Sequence, residues 1–215
     1  MVDECSHGDR KEARTEMARV IMMNKPRGYL SARSDKALPT LMALLPPELQ
    51  DLHLVGRLDL DTEGLLLLTD DGMLDRALLL PERGVEKVYF FRAFGCLDAA
   101  AFAKMEGGVQ LGSPDNVSRP ARAWLQGYTT IGACEDQLPA REHDHLMKNA
   151  GRPVTEGFLA IREGRKHEVK LIVKAAGGHV FYLKRLSIGR LALDPALAPG
   201  QWRPLDEAAL ELLKG

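Results

Sequence analysis

The stretch GRLDLDTEGLLLLTDDG, Gly56–Gly72, determines how the rest of the chain is interpreted. Its second half contains Leu65–Thr69, an apolar run closed by an Asp-Asp-Gly turn, and this pattern predicts a buried strand that leads into a helix. Its first half places two carboxylates, Asp59 and Asp61, directly before that strand. Glycines on either side of this acidic segment allow another part of the backbone to approach closely.

The acidic segment has two interpretations. Arg57 and Asp59 are two residues apart, so in an extended segment their side chains point the same way. A carboxylate beside a guanidinium stays ionised and can act as a nucleophile or a base. The same residues also suit a tight loop in which Asp59, Asp61 and Thr62 bind backbone amides. The spacing alone leaves both interpretations open.

Composition narrows the class of protein. The chain has 215 residues, of which 45% are hydrophobic, which suits one large globular domain or two small ones. The three cysteines have no CxxC spacing, so neither a disulfide scaffold nor a zinc knuckle is expected, and a reducing cytoplasm fits. The leucine runs are too short to span a membrane. Residues 1–18 are polar, lack a signal-peptide core and are predicted to be a tail before a domain over 19–215.

Charge is segregated along the chain although the net charge is −1. Residues 51–75 contain seven acidic residues and one arginine, whereas residues 162–190 contain eight basic residues and two acidic ones. The small net charge excludes a globally basic RNA-coating protein, but it does not exclude a local basic face. If the two segments face each other across a cleft, a carboxylate there would lie among cations, in a site that attracts polyanions.

The order of predicted elements indicates an α+β fold with a mixed, mainly antiparallel sheet flanked by helices. Residues 127–157 are polar and rich in turn residues, so a long loop or irregular excursion is expected there, with an insertion into the domain as one interpretation. The predicted strands are 19–24, 65–69, 87–94, 109–111, 121–125, 158–162 and 180–186, and the predicted helices are 40–45, 73–80, 99–106, 166–176 and one after Asp206.

The same polar segment contains the only group of residues that suggests a metal site. His143 and His145 flank Asp144, with Cys134 and Asp136 a few residues earlier. An H-x-H pair is common in loops, and no second pair has the spacing of a zinc site. We therefore predict no metal site.

Four motifs, in order, resemble the pseudouridine synthases that act on ribosomal RNA. The stretch Gly56–Gly72 resembles their G-R-L-D-x-x-[ST]-x-G-L-L-L-[LM]-T-x-D-G motif. Asn24–Tyr29 resembles N-K-P-x-G, Glu86–Tyr89 resembles E-K-x-Y, and Glu163–Lys170 resembles E-G-[RK]-x-H-Q-V-[KR]. The resemblance covers about residues 19–210. It is to the branch of the family that contains the small-subunit enzymes and the large-subunit enzymes of types B, E and F. The E-K-x-Y and G-V-Q-L strings are most similar to the small-subunit type.

The resemblance implies a role for individual residues. Asp59 matches the catalytic aspartate, Tyr89 the tyrosine that packs against the target base, and Lys170 the basic residue that pairs with the aspartate. Arg57 matches the arginine that helps to hold a flipped-out nucleotide. The resemblance and the basic segments together give a predicted set of RNA-binding residues: Arg57, Lys25, Arg165, Lys166, Lys184 and Arg185.

The chain departs from the family in two ways. Glu168 stands where the family usually has glutamine, and Leu171-Ile172 stands where a basic residue and methionine are usual. The extra negative charge of Glu168 could weaken the grip on RNA. An N-terminal S4 RNA-binding module, common among the relatives, is expected to be absent, so affinity must come from the catalytic domain or from a partner.

We therefore predict a stand-alone RNA pseudouridine synthase with a central RNA-binding cleft, acting as a cytoplasmic monomer without membrane contact. Isomerising uridine involves no redox change and no external group, so no cofactor is expected. Two alternatives remain at this point. One is a catalytically silent RNA-binding or ribosome-assembly factor on the same fold. The other is a glycoside or nucleoside hydrolase that uses Asp59 and Asp61 as an acid/base pair.

Overall fold

One mixed sheet organises residues 18–113 and 115–213, which the computed structural model describes. The main path of the sheet is β5-β6-β4-β7-β3-β1-β9, with β2 added to β3 and β8 added to β7. Only the β3–β7 pair is parallel, which confirms the predicted fold class. The strands are β1 Val20–Lys25, β2 His53–Val55, β3 Thr62–Thr69, β4 Lys87–Phe94, β5 Arg122–Thr130, β6 Pro153–Ile161, β7 His179–Ile188, β8 Leu191–Ala192 and β9 Trp202–Pro204.

Short helices flank this sheet. Asp71, Asp98 and Asp206 cap the N-termini of three of them through their side chains, as Asp at this position usually does. None of the described helices is long and apolar enough to cross a membrane. The α-helices are α1 Gly72–Leu79, α2 Ala99–Glu106, α3 His143–Met147, α4 Glu168–Ala175 and α5 Glu207–Glu211, and 3-10 turns occupy Leu41–Leu44, Pro47–Leu49, Pro81–Arg83 and Gly132–Gln137.

The two faces of the sheet are covered differently. The front face, defined here as the face that bears Tyr89 and Phe91 of β4, packs against the apolar sides of α2 and α4. The back face packs against α5 and β8 where it is formed by β1 and β3. Strand β3 is buried on both faces, which explains its continuous leucine run. Strand β4 alternates between buried and half-buried residues because only its front face is covered by the core.

The sheet opens at β3. The first residues of β3, Thr62–Gly64, pair with Leu183–Arg185 of β7, whereas its last residues pair with β2 on the same edge. The loop 56–61 leaves the sheet at the point where β7 and β2 separate. Gly64 has φ +102°, and a Cβ there would lie 2.2 Å from the carbonyl oxygen of Arg185. Glycine is therefore required where the loop enters β3.

Three local predictions are wrong. Residues 127–157 are not one irregular excursion: β5 extends to Thr130 and β6 begins at Pro153, so only residues 131–152 lie outside the strands. Edge strand β5 is largely exposed on both sides, so its polar sequence resembles a loop. Residues 109–111 form only an isolated pairing between Gln110 and Val117. Helix α4 begins two residues later than predicted because His167 has a left-handed backbone, φ +56°.

The predicted tail, residues 1–18, lies outside the described residues except for its last residue. Segment 131–152 adds a small core of its own. Ile131, Cys134 and Leu138 pack with Val154 of β6 and Phe181 of β7. The segment thereby covers the end of the sheet that bears Val154 and Phe181, and its Gln137 side chain accepts a hydrogen bond from Arg92 of β4.

Candidate active site

A buried lysine holds the loop that carries Asp59. Lys25, the last residue of β1, is completely buried. Its ammonium group donates hydrogen bonds to the carbonyl oxygens of Pro26 (3.0 Å), Asp59 (3.0 Å) and Thr62 (2.8 Å). Burial is the main reason that the pKa of Lys25 is lowered, to about 8. The lysine of the Asn-Lys-Pro motif therefore fixes the loop backbone at Asp59 and after it.

The residues after this motif hold the same loop from its other side. The Ser31 hydroxyl donates to the Leu58 carbonyl at 2.8 Å and accepts from the Leu58 amide at 3.1 Å. The amide of Gly28, which has φ +83°, donates to the Leu60 carbonyl at 2.8 Å. The backbone of Asp59 is thus fixed by bonds to the residues around it, as preorganised catalysis requires.

Four ionisable side chains meet at this loop. The Nδ1 atom of His167 lies 2.8 Å from Oδ2 of Asp59. The ammonium of Lys170 lies 3.6 Å from the same oxygen and donates to Oδ1 of Asp61 at 2.5 Å. The acidic segment and the basic segment of the sequence therefore face each other here. Lys170 lies beside Asp59 as expected, but its shorter contact is with Asp61.

Asp61 and Asp59 differ in solvent contact. The Asp61 side chain is 63% exposed and the Asp59 side chain 29%. Burial of part of the Asp61 carboxyl opposes its ionisation, but the hydrogen bond and charge of Lys170 outweigh burial and lower the pKa of Asp61. Lys170 therefore keeps Asp61 ionised, so two carboxylates share one ammonium at the mouth of the site.

His167 is a site residue that was not predicted from the sequence. It is the only non-glycine residue in the described parts of the chain with a positive φ. This backbone conformation, which costs free energy for a residue with a Cβ, directs the imidazole towards Asp59. The histidine stands in the quoted motif EGRKHEVK, but nothing in the spacing singled it out.

A small pocket lies directly behind Asp59. Its volume is about 110 Å³, and Tyr89, Leu183, Ile161 and Val169 form its apolar walls. Tyr89 is 7% exposed and lies on β4 beside Arg185 of β7. An aromatic ring beside a small apolar pocket suits a flat ring that enters from the cleft.

The floor of the pocket has polar atoms without protein partners. Both Nη2 of Arg185 and the hydroxyl oxygen of Thr62 are buried and have no hydrogen-bond partner among the described residues. Lys87 is also buried there, and its ammonium has one bond, to the Val85 carbonyl at 3.2 Å. Burial, and then the nearby charge of Arg185, lowers the pKa of Lys87. Such groups are costly unless something binds them, so they are candidates for contacts with a polar ligand.

Two buried glutamates lie beside the pocket. Glu168 accepts a hydrogen bond from the Arg165 amide at 2.9 Å, and Glu163 accepts one from the Arg119 amide at 2.7 Å. Burial, and then the contact with Glu163, raises the pKa of Glu168 to about 8. Glu168 is therefore the neutral partner of the pair near pH 7 and can donate a hydrogen bond to Glu163. In this state it resembles the glutamine that the family usually has.

A wider cleft continues outward from Asp59, with a volume of about 810 Å³. The exposed side chains of Arg57 and Lys166 line it and make no ion pair with another described residue. Arg165 also lines it, while its guanidinium binds Glu163 at 3.0 Å. Arg119 completes this basic rim. The cleft can therefore accept an extended anionic chain.

Three of the predicted RNA-binding residues do not lie in this cleft. Lys25 is inaccessible because its ammonium binds loop carbonyls. Arg185 is 3% exposed at the pocket floor, where Nε donates to the Leu65 carbonyl at 2.7 Å, so it cannot contact backbone phosphates. Lys184 lies between two β7 residues that line the pocket, Leu183 and Arg185, and so points to the back face. None of the three therefore lies where it could contact a backbone phosphate in the cleft. The burial of Lys25 speaks against its predicted role in RNA binding, whereas for Arg185 and Lys184 that role stays a prediction.

The described residues contain no group of three or more histidine, cysteine, aspartate or glutamate side chains arranged to hold a metal ion. His143 instead contacts Asp144 at 3.1 Å and Glu135 at 3.2 Å.

Comparison with known proteins identifies the family. Residues 19–175 match the family described as RNA pseudouridylate synthase. The chain belongs to this family. It is a pseudouridine synthase, which is an isomerase, and the resemblance found in the four motifs is confirmed.

Individual relatives extend the match beyond residue 175. The chain is 40% identical to an uncharacterized RNA pseudouridine synthase of Bacillus subtilis, YtzG, over 90% of this chain and 72% of that protein. It is 35% identical to ribosomal small subunit pseudouridine synthase A of Escherichia coli, over 88% of this chain and 71% of that protein. A crystal structure of a pseudouridylate synthase superposes with a TM-score of 0.74 at 30% identity, covering 91% of this chain and 74% of that one.

Proposed function

We propose that this pseudouridine synthase modifies a specific uridine in ribosomal RNA, with Asp59 as its catalytic residue. The observation that carries the proposal is the position of Asp59, at the mouth of a pocket with a tyrosine wall, between that pocket and a basic cleft. The name of the Escherichia coli relative supports ribosomal RNA of the small subunit as the substrate. Action on ribosomal RNA in turn supports a cytoplasmic location.

The pocket and the cleft suit the two parts of a nucleotide. A base inside a stacked helix cannot be turned, so the uridine must leave the stack. Its ring would then enter the inner pocket beside Tyr89, while Arg57 and Lys166 at the cleft bind neighbouring phosphates. The unpartnered Nη2 of Arg185 is placed to donate to a uracil carbonyl oxygen. Cytosine has an amino group where uracil has O4, so a bond from this donor to O4 would disfavour cytosine.

The reaction conserves every atom of the nucleotide. The N1–C1′ bond breaks, the base turns, a C5–C1′ bond forms, C5 loses its proton and N1 gains one. Asp59 lies where the ribose would follow the base into the pocket, so its carboxylate is placed to act on the sugar or to carry the proton. His167 and Lys170 serve as positioning residues because both contact Oδ2 of Asp59. We propose that the chain acts as a monomer, since every group in this scheme comes from one copy.

The substrate can be identified without prior choice of a site. Carbodiimide labelling followed by primer extension is applied to all ribosomal RNAs from a strain that lacks the gene and from the parent strain. We expect one stop to disappear in the deletion strain and to return with the wild-type gene but not with Asp59→Asn. An unchanged set of stops in every ribosomal RNA would refute ribosomal RNA as the substrate, and the same mapping on transfer RNA would then follow.

A further inference from the structure

The back face of the sheet carries a row of aromatic side chains outside the cores. Trp124 of β5, Phe158 of β6 and Phe90 of β4 are neighbours in the strand register. Their ring centroids are 5.2 Å and 5.5 Å apart, and the first two rings are stacked with 19° between their planes. None of the three belongs to a hydrophobic core of the described residues, and Trp124 is 39% exposed. These three residues are called the aromatic row below.

Cations border the aromatic row. The guanidinium of Arg122 lies over the Trp124 ring at 5.8 Å, and that of Arg92 lies over the Phe90 ring at 5.6 Å. Lys184 is paired with Phe90 in the register and has no ion pair with another described residue. Lys184, which does not reach the cleft, thus lies beside this row.

Arginines also connect the row with the catalytic cleft. Arg119 and Arg165 line the cleft. Arg122 lies three residues after Arg119, and Arg162 lies three residues before Arg165. Arg122 and Arg162 share the carboxylate of Glu86, at 2.7 Å and 3.6 Å. Both of these outer side chains are nearly two-thirds exposed. Two chain segments therefore carry positive charge around the end of the sheet, from the cleft to the aromatic row.

We propose that the aromatic row is a second RNA-binding surface, which stacks unpaired nucleotides that flank the target uridine. The proposal rests on the RNA substrate of the proposed function. Aromatic rings on a sheet bind single-stranded RNA because every base has a face that can stack on them, and cations beside the rings bind the phosphates. The cations available here are Lys184 and the exposed Arg122, because Arg92 is held by Glu156 at 2.6 Å.

The alternative occupant of this face is a second copy of the chain, joined through edge strand β5. A symmetric pair would bring Arg122 and Arg162 of both copies to one interface, where like charges repel each other. A polyanion meets those exposed cations without that penalty. The charge around the row therefore favours RNA over self-association.

Tryptophan fluorescence provides a direct test. The chain contains two tryptophans, Trp124 and Trp202, so a Trp202→Phe background leaves Trp124 as the only emitter. This protein is titrated with a short oligouridylate that fills the cleft alone and with a long one that can also reach the back face. We expect the long RNA to quench Trp124 and to bind more tightly, and the short RNA to leave the emission unchanged.

A matched pair of variants separates stacking from general effects. Leu125 is the next residue of β5, is 43% exposed and pairs with Gly157 of β6, whose Cβ position faces the front-face core. Trp124→Ala should weaken binding of the long RNA roughly five- to 100-fold, as loss of base stacking does, whereas Leu125→Ala should not. Trp124→Leu, which keeps apolar packing on the sheet, should lose as much affinity as Trp124→Ala. With the natural RNA, the KM should rise and kcat should stay unchanged.

Two results would overturn the proposal. Equal affinities of the Trp124→Ala and Leu125→Ala proteins for long RNA would mean that the row only stabilises the sheet. The row would instead be assigned to self-association if the molar mass of the wild type rose with protein concentration, and Trp124→Ala abolished that rise without changing RNA affinity. Failure of the proposed function can be distinguished from failure of this proposal. If the proposed function failed, the wild-type protein would leave ribosomal RNA unmodified, but quenching of Trp124 by long RNA could still be measured.

Discussion

The mouth and the floor of the inner pocket contain the same kinds of charged side chains in different surroundings. At the mouth, Asp59 and Lys170 keep 29% and 22% of their surface exposed, and their partner groups are exposed further. Lys87 at the floor and Glu168 beside the pocket are buried, with 8% and 3% exposed, and burial shifts the pKa of each towards its neutral form. Groups at the mouth stay accessible to a substrate, so they can take part in chemistry. Buried groups hold the loop and the pocket in shape.

The largest effect on turnover should come from the mouth. Asp59→Asn should reduce pseudouridine formation by about 100-fold or more, because an amide can hydrogen-bond but cannot act as a base or nucleophile. Fold and RNA affinity should remain, since the side chain is partly exposed and the size is conserved. Thermal unfolding, RNA binding and single-turnover isomerisation of the variant would measure all three.

Asp61→Asn is the matched control. Asp61 is well exposed and contacts Lys170 alone among side chains, so its loss should cost less than about tenfold in turnover. Equal loss in the two variants, together with release of free uracil by the wild-type protein, would instead favour a hydrolase that uses both carboxylates.

The largest effect on stability should come from the buried lysine below the loop. Lys25→Met leaves the carbonyls of Pro26, Asp59 and Thr62 buried without a donor, and should destabilise the fold by about 2–4 kcal/mol. Urea unfolding measures this change. Lys36→Met, at an exposed lysine, should leave the unfolding midpoint in place. If Lys25→Met unfolded like the wild type but lost RNA affinity, the original interpretation of Lys25 as an RNA contact would be restored.

An intermediate effect is expected for Lys170. Its removal leaves Asp59 and Asp61 without their shared ammonium and removes the charge that lowers the pKa of Asp61. Lys170→Met should therefore reduce turnover by about tenfold or more, whereas Lys170→Arg should keep most of it. Lys174 lies one helical turn further on α4 and is exposed, so Lys174→Met is the control. Superimposable pH–rate profiles of the two Met variants would exclude Lys170 from the site.

The contrast between mouth and floor also shows what the sequence could predict. The bounds of β4 and α2 are as predicted because both depend on local sequence signals. Strand β4 has a β-branched and aromatic sequence, and α2 follows a capping aspartate, Asp98. The motifs placed Asp59, Tyr89 and Lys170 together. Burial of Lys25 could not be predicted, because a lysine is buried only when distant segments bring acceptors to it.

Other features of the site depend on geometry that leaves no local pattern. The left-handed conformation of His167 has no signal in a single sequence, and the contact with Asp59 follows from it. The aromatic row joins residues from three strands, so no stretch of the chain displays it. Strand β5 was predicted only in part because its exposed edge allows polar residues on both faces.

The smallest effect concerns the buried glutamate pair. With a pKa of about 8 against an ordinary value of 4.5, Glu168 holds a proton in the folded protein that the unfolded chain releases between these two pH values. The folded state then binds more protons than the unfolded state, so this group lowers the stability of the wild type as pH rises from about 4.5 to about 8. The side-chain amide in Glu168→Gln does not titrate, so the stability of the variant lacks this dependence on pH.

We therefore expect Glu168→Gln and the wild type to differ little in stability at acidic pH, and the variant to become increasingly the more stable as pH rises to about 8. Turnover at neutral pH should be similar. Above that pH the wild type should lose activity first, because ionised Glu163 and Glu168 repel each other beside His167 and Lys170. Glu82→Gln, at an exposed glutamate, should leave the pH dependence unchanged. Parallel stability curves for Glu168→Gln and the wild type over this range would mean that Glu168 is ionised in the folded protein. Glu168 would then not mimic the neutral glutamine that the family usually has at this position.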